Sequence, residues 1–294
     1  MSRKLTILSL NVGLSHNLAG LSTLLSVNAA DLILLQEIRI SKEQLLAALG
    51  GPGFKAVVNI DEDSPLSPGT AVVWKETLPV EDVISLVLCR LQVVIIGDYL
   101  VLNVYAPSGS SKKHERSLFF SEDVFPAFSL FPNFFYILSG DFNCVLNPID
   151  IENGIGFNHK FCASLKDLAF SYKLVDPFRA KYPRKEEFTF FRPGKAASRL
   201  DRFYIPSSYS AYTSISHVAS LSDHCATILQ FQINNLSFPS LKKAGRSTYW
   251  KLNTSILKDD DFNSSFSSFW SEKSKFFLPG IFCPERIHKL VAKS

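Results

Sequence analysis

Short apolar runs with strand-like composition recur along most of the chain and restrict the folds that it can adopt. Each run is rich in β-branched and aromatic side chains, as strands are. The runs occupy residues 5–10, 32–35, 55–58, 70–74, 93–96, 99–104, 134–138, 188–191, 199–205 and 226–231. Helix-like patterns lie between some of them, at residues 17–30, 41–49, 112–128 and 158–172. Consecutive strands separated by isolated helices predict a layered α/β sandwich and not a regularly alternating parallel sheet.

Local signals support this interpretation. Gly97 and Asp98 stand between two apolar runs and predict the turn of a β-hairpin, and Ser41 is suited to cap the helix that follows it. The most apolar window, residues 85–106, contains charged and polar positions, so it is too interrupted to cross a bilayer as one helix. We therefore expect no membrane partner.

Composition sets the domain organisation and the compartment. With 294 residues, of which 46% are hydrophobic, the chain can fill a substantial core. A polar stretch with Pro and Gly begins at residue 233, which predicts a domain of residues 1–232 and a linker with a partly helical tail at residues 233–294. The net charge of +4 is compatible with a nucleic-acid partner but is weak support for one. Five scattered cysteines without a CxxC pair argue against disulfides or a zinc knuckle and predict an intracellular protein.

Polar residues follow several of the apolar runs, at positions where a sheet presents side chains to a cleft. Asn11 follows the first run and Glu37 the second, although a Glu at such a position is more often a solvated turn residue. Asp141 and Asn143 follow the run at 134–138, and we expect them to point to the same side of an extended backbone. There Asp141 could accept a proton while Asn143 donates hydrogen bonds. A Gly-Asp turn with an Asx cap is the alternative.

A second group of candidates surrounds the last apolar run. Asp201 lies within an apolar strand, where a carboxylate is costly unless it is paired, and His224 is its natural partner. Asp223 precedes this histidine, and an adjacent Asp and His suit metal-assisted hydrolysis in which an imidazolium stabilises phosphoryl oxygens. The other histidines have less promising neighbours and are predicted to be surface or loop residues: His16, His114, His159, His217 and His288.

The candidates share a chemical character. They offer oxygen ligands and one imidazole, without a nucleophilic Ser or Cys motif: Asn11, Glu37, Tyr105, Asp141, Asn143, Asp201, Asp223 and His224. Hard oxygen ligands suit Mg²⁺, or alternatively Mn²⁺, better than zinc. Because a Gly-rich phosphate loop is absent, phosphate is expected as part of a diester and not as a nucleoside triphosphate.

The order of six motifs across residues 4–232, LNV, LLQE, NVYAP, GDFN, SRLD and SDH, resembles the exonuclease/endonuclease/phosphatase superfamily. Three longer segments are similar to the endonuclease of non-LTR (LINE-type) retrotransposons: residues 140–148, 187–191 and 198–203. Residues 249–257 resemble the segment that joins that endonuclease to a reverse transcriptase. The resemblance implies a DNase I-like, four-layered α/β sandwich of two packed mixed sheets flanked by helices, with the active site at one edge.

The resemblance also implies a role for each matching position. Glu37, helped by Asn11, would hold the divalent cation, and Asp223 would complete the metal network. Catalytic roles fall to Asp141, which would activate water, and to Asn143, Asp201, His224 and Tyr105. Phosphate or DNA contacts are predicted at Thr189, Ser222, Arg199, Lys195 and Arg192. One departure is Gly13, since many relatives have a polar residue there, and this weakens a second metal contact.

Three functional hypotheses follow. The leading one is an endonuclease that nicks one strand of duplex DNA and leaves a 3′-hydroxyl for target-primed reverse transcription. Its partners would be duplex DNA and, further, element RNA or a reverse-transcriptase domain outside this chain, with action in the nucleus. An abasic-site repair endonuclease is the alternative with the same chemistry. A catalytically silent, nucleic-acid-binding relict of a retroelement is the alternative of another class.

Overall fold

Two six-stranded β-sheets form the framework of the described part of the chain, which in this computed structural model is residues 3–13, 28–49, 53–64, 67–154, 157 and 162–233. The strands are β1 (Arg3–Asn11), β2 (Leu32–Ile38), β3 (Phe54–Asn59), β4 (Gly69–Lys75), β5 (Asp82–Val87), β6 (Leu91–Ile96), β7 (Tyr99–Tyr105), β8 (Phe135–Asp141), β9 (Leu174–Val175), β10 (Asp201–Pro206), β11 (Thr213–Val218) and β12 (Ala226–Ile233). The first sheet has the order β11-β12-β1-β2-β4-β3 and the second β5-β6-β7-β8-β10-β9. Each sheet contains one parallel pair, β1 with β2 and β7 with β8.

The alternation of side chains along β1 shows how the layers form. Leu5 and Ile7 point into the core between the two sheets, where they join Val101 of the second sheet. Leu8 and Leu10 point to the opposite face, which is covered by the helix that follows β2. Because both faces of the central strands are buried, these strands are apolar throughout.

Helices cover the outer face of each sheet and complete four layers. They are α1 (Lys42–Ala48), α2 (Lys113–Leu118), α3 (Phe125–Leu130), α4 (Ala163–Ser171) and α5 (Pro177–Lys181). The predicted cap is present, since Ser41 and Gln44 form a capping box at the start of α1. A π-helical turn, Phe119–Val124, joins α2 to α3, so the predicted helix at 112–128 is helical but irregular.

The predicted layered α/β sandwich is confirmed, with one false strand and three missed ones. The run at 188–191 forms only isolated bridges, because Phe190 pairs on one side with Ser198 and on the other with His224. The missed strands are β5, β9 and β11. The predicted hairpin at Gly97 is present, since β6 and β7 pair directly across it. Residues 14–27 and 234–294 lie outside the described residues, so the predicted helix at 17–30 and the domain boundary stay predictions.

Among the described residues, no helix is long and apolar enough to span a membrane.

Two buried amide side chains join the two sheets. Gln36 of β2 donates a 2.7 Å hydrogen bond to the Asn103 side chain of β7, and Asn103 donates to the carbonyl groups of Leu35 and Ala71. Both amides are fully buried. Since buried amides need specific partners, this contact fixes how the sheets align near the ends of β2 and β7.

Gly140 allows the closest approach between β7 and β8. Its φ is +138°, and an added Cβ would lie 1.9 Å from the Val104 carbonyl oxygen. We predict that Gly140→Ala lowers the free energy of unfolding by at least about 3 kcal/mol, because strain and overpacking add. Urea unfolding measures this. Gly194→Ala is the control, since Gly194 also has a positive φ but open space around it. Equal losses in the two variants would contradict the steric explanation.

Candidate active site

Two aspartates lie opposite each other where neighbouring strands meet at one edge of the second sheet. Asp141 ends β8, Asp201 begins β10, and the two are direct partners in the antiparallel ladder. Both are buried, with exposed fractions of 1% and 0%. Tyr105 ends β7 and is the ladder partner of Asp141 on its other side. Strand pairing alone therefore places three of the predicted catalytic residues together.

Asp141 is held by amide donors from two segments. Its Oδ2 accepts from the side-chain amides of Asn11 and Asn143, both at 2.9 Å, and its Oδ1 accepts from the Asn143 backbone N–H at 2.8 Å. Asn143 has a φ of +48°, so the expected extended arrangement is wrong and the Asx-type turn is present. Burial and the neighbouring Asp201 raise the pKa of Asp141 to about 6, although His224 and these donors oppose the rise.

His224 lies against both aspartates. Its Nδ1 is 2.9 Å from Oδ2 of Asp201, which is the predicted contact, and the Phe190 ring packs on it at 4.9 Å. Burial alone would lower the pKa of His224, but Asp201 and Asp141 raise it more strongly, to about 10. The ring is therefore an imidazolium near neutral pH. The negative charge of the aspartates is what stabilises this cation in a buried place.

Glu37 joins the site from the first sheet. It lies at a bulge of β2 with a φ of +60°, and its Oε1 accepts a 2.9 Å hydrogen bond from the Tyr105 hydroxyl. Burial and the Glu37 carboxylate raise the pKa of Tyr105 well above its usual range, so the phenol remains a donor. The Arg90 guanidinium lies 4.5 Å from the centroid of the Tyr105 ring.

The donor set fits a hard divalent cation. Ligand atoms of Asp141, Asp201 and His224 lie within 4.8 Å of one another, but His224 is a poor ligand because it is protonated and its Nδ1 contacts Asp201. The oxygen donors fit better. The Glu37 carboxylate, whose Oε1 accepts from the Tyr105 hydroxyl, is one such donor. The sequence-predicted ligand Asn11 lies next to Asp141.

Asp223 and Ser222 lie beside His224 in a tight turn. The Ser222 hydroxyl accepts from the His224 backbone N–H at 3.1 Å and donates to Asp223 at 3.3 Å. Arg192 donates to Asp223 Oδ2 from Nε and Nη2, at 3.0 and 2.7 Å. The predicted metal ligand Asp223 is thus paired with the predicted DNA contact Arg192. Lys195 is exposed on the same loop.

Two of the predicted phosphate contacts are buried and have partners inside the protein. Thr189 is fully buried, and its hydroxyl oxygen accepts from the backbone N–H groups of Leu200 and Asp201, so it anchors the start of β10. Arg199 is 1% exposed and forms ion pairs with Asp150 and with Asp176 at 2.8 and 2.6 Å. Both side chains act on the site through the backbone around Asp201.

Asp150 is the centre of a buried ionic network that no local sequence pattern indicates. Arg179 and Arg199 each donate to its Oδ1, at distances between 2.6 and 3.0 Å, and Arg202 lies 3.8 Å from its Oδ2. Burial alone would raise the pKa of Asp150, but the arginines lower it to about 2. Since Arg199 and Arg202 flank Asp201 in the sequence, the network fixes the strand that carries this predicted catalytic residue.

His217 is a further correction. It was expected at the surface or in a loop, yet its side chain is 4% exposed and its Nδ1 is 2.5 Å from Glu187. The Phe178 ring packs on it at 4.8 Å, and burial lowers its pKa despite the Glu187 contact. His114 is exposed as predicted. The three remaining predicted surface histidines lie outside the described residues: His16, His159 and His288.

Comparisons with known proteins agree with this fold. Residues 8–224 match the Endonuclease/Exonuclease/phosphatase family, and the chain belongs to that family. It is 32% identical over 177 residues to the Transposon TX1 uncharacterized 149 kDa protein of Xenopus laevis, a match that covers 58% of this chain but only 13% of that relative.

Solved structures share the fold at low sequence identity. An AP endonuclease from Archaeoglobus fulgidus is similar with a TM-score of 0.67 and 20% identity, over 77% of this chain and 99% of that one. The AP endonuclease LMAP from Leishmania major is similar with a TM-score of 0.66 and 17% identity, over 79% of this chain and 88% of that one. These likenesses establish the DNase I-like architecture that the sequence predicted.

The Asp150 network generates a prediction about stability and pH. Asp150→Asn should lower the free energy of unfolding at pH 7 by about 3 kcal/mol, because buried arginines lose their partner. The folded-state pKa lies below the ordinary value of 3.8, so the stabilisation is present above about pH 4 and is lost as the pH falls towards 2. Urea unfolding of both proteins should therefore show a gap that narrows below pH 4.

Asp167→Asn is the matched control, because Asp167 is exposed on α4. It should unfold like the wild type at every pH. A gap for Asp150→Asn that stays constant between pH 4 and pH 2 would contradict the ionic interpretation of the network.

Proposed function

We propose that this chain is a metal-dependent phosphodiesterase that nicks one strand of duplex DNA and leaves a 3′-hydroxyl for target-primed reverse transcription. The observation that carries the proposal is the buried pair of Asp141 and Asp201 with the His224 ring beside them. This arrangement places a proton acceptor and a fixed cation a few ångströms apart. Phosphodiester hydrolysis needs both, since water must lose a proton while negative charge grows on the phosphate.

Asp141 acts as the general base in this mechanism. The amides of Asn11 and Asn143 fix the orientation of its carboxylate, so that it can accept a proton from a water molecule without reorganising. Its raised pKa brings it nearer to the pH at which it works, which makes proton transfer more favourable. Asn143 also donates to the Ala106 carbonyl, which ties the base to the loop after β7.

His224 and Tyr105 stabilise the phosphate. With Nδ1 of His224 engaged by Asp201, its Nε2 is the nitrogen that meets a phosphoryl oxygen. Asp201 orients the ring and keeps it charged, which is the role of a positioning residue. The Tyr105 hydroxyl, with its pKa raised, supplies a further neutral donor at the same edge.

Glu37 is the principal residue that would hold Mg²⁺, or Mn²⁺ in its place. Asn11 and Asp223 would help to hold the cation. When bound, the cation supplies Lewis-acid stabilisation of a phosphate oxygen and of the leaving 3′-oxygen. The strand bulge at Glu37 and the buried contact between Gln36 and Asn103 keep this carboxylate in register with the second sheet.

The choice of DNA and of retrotransposition rests on the resemblance of the motifs to LINE-type endonucleases and on the similarity to a transposon protein. Exposed Lys195 and Arg192 are placed to contact the DNA backbone near the site, where cations contribute affinity without sequence preference. Element RNA and a reverse transcriptase are the further partners we propose, with action in the nucleus.

Abasic-site repair is the second candidate, favoured by the similarity of the fold to AP endonucleases. The two functions share the phosphodiesterase chemistry and differ in the loops that receive the DNA. They are therefore separated by substrate and not by the catalytic residues.

We predict that the purified chain nicks supercoiled plasmid with Mg²⁺, and that Asp141→Asn and His224→Gln each lower the rate by about 10²-fold or more. EDTA should abolish nicking. The conversion of supercoiled to open-circular plasmid on agarose measures it, and Asp167→Asn is a matched control that should retain full activity.

Intact and abasic duplex oligonucleotides then decide between the two functions. Similar rates on both support target nicking, whereas a strong preference for the abasic duplex moves the assignment to repair. Metal-dependent binding of DNA without any cleavage by the wild type would leave the relict hypothesis and overturn the enzymatic one.

A further inference from the structure

Asp223 adjoins the catalytic His224, yet its carboxylate is occupied by a protein cation. Arg192 donates to Asp223 Oδ2 from two nitrogens, in a pair whose side chains are 46% and 25% exposed. Ion pairs with this much solvent contact contribute little to stability, so another anion can displace Asp223 at small cost. The pair lies at the rim of the site and not in its interior.

Only the Arg192 side chain would have to move. The backbone beside it is fixed, because the Phe191 N–H donates to the Asp223 carbonyl at 2.8 Å and Phe190 bridges to His224. The guanidinium also lies 5.4 Å from the centroid of the Phe190 ring, the same ring that packs on His224. Arg192 can therefore turn between Asp223 and an anion arriving from solvent while the two loops stay in place.

The other oxygen of Asp223 faces the predicted metal side of the site. A Cβ on Gly13 would lie 3.1 Å from Asp223 Oδ1, and the Gly13 N–H donates to the Asn11 side chain at 2.8 Å. Asp223 thus stands between Arg192 and the segment of Asn11. The glycine at position 13 leaves the space that lets Asp223 come this close.

We infer that Arg192 is a built-in counter-cation that holds Asp223 until a DNA phosphate takes the guanidinium over, which frees Asp223 for the divalent cation. The inference rests on the proposed function, since it needs both a metal and a phosphodiester at this site. An arginine fork suits a phosphate at least as well as a carboxylate. Substrate and metal then bind with positive coupling, and each raises the affinity for the other by the same factor.

Mn²⁺ binding without DNA tests whether Arg192 competes with the divalent cation for Asp223. Electron paramagnetic resonance of free Mn²⁺ gives the Kd for the wild type, Arg192→Ala and Lys195→Ala. Removing the competing cation should tighten Mn²⁺ binding about two- to five-fold in Arg192→Ala. Lys195→Ala removes the same charge from the same loop without touching Asp223, so it should bind like the wild type. In an Asp223→Asn background, Arg192→Ala should bring no gain.

Duplex binding tests whether a DNA phosphate takes over Arg192 and so couples DNA binding to metal binding. Fluorescence anisotropy with a cleavage-resistant phosphorothioate duplex gives the DNA Kd with and without Mn²⁺. The tightening caused by Mn²⁺ should be about two- to five-fold larger in the wild type than in Arg192→Ala, because only the wild type carries the coupling.

The outcomes separate the inference from the function. If the wild type binds Mn²⁺ and nicks DNA, but Arg192→Ala and Lys195→Ala have equal Mn²⁺ affinities, the counter-cation is overturned and the proposed function stands. If the wild type neither binds Mn²⁺ nor nicks, both are overturned. Thermal melting of each variant checks that it is folded, as expected for substitutions at exposed or half-buried positions.

Discussion

Asp141 and Asp201 face each other across the β8–β10 ladder, and the surrounding structure depends on the groups that offset their two negative charges. Like charges directly opposite in a sheet destabilise it, and both carboxylates are removed from water. His224 supplies a cation between them, while Asn11 and Asn143 donate to Asp141. The groups that make this burial tolerable are also the groups that the proposed phosphodiester hydrolysis uses, so the proposal makes stability and chemistry depend on the same contacts.

Two buried polar networks hold this pair in position from opposite directions. The contact between Gln36 and Asn103 aligns the two sheets, which places Glu37 beside Tyr105. The ionic network around Asp150 fixes the residues on either side of Asp201. Because buried polar groups need specific partners, each network permits only one alignment of the strands that it joins. The geometry of the site therefore depends on both networks.

The sequence predicts the features that follow from a local pattern. Apolar runs identify most strands, and a carboxylate within such a run demands a partner, which is how the contact of Asp201 with His224 could be anticipated. Contacts made at long range leave no such pattern. Arg199 is of a residue type that contacts DNA, but its partner in the structure is Asp150, which lies 49 positions away. His217 likewise contacts a residue that is distant in the sequence, Glu187. The residues next to Arg199 and His217 therefore do not reveal that either side chain is buried.

In the proposed reaction, water activated at this site attacks a DNA phosphorus and expels the 3′-oxygen. Single-turnover nicking of an oligonucleotide duplex in H₂¹⁸O, followed by mass spectrometry of the termini, tests it directly. We expect a 3′-hydroxyl on one product and one ¹⁸O atom in the 5′-phosphate of the other. A 3′-phosphate, or a 5′-phosphate without the label, would contradict it.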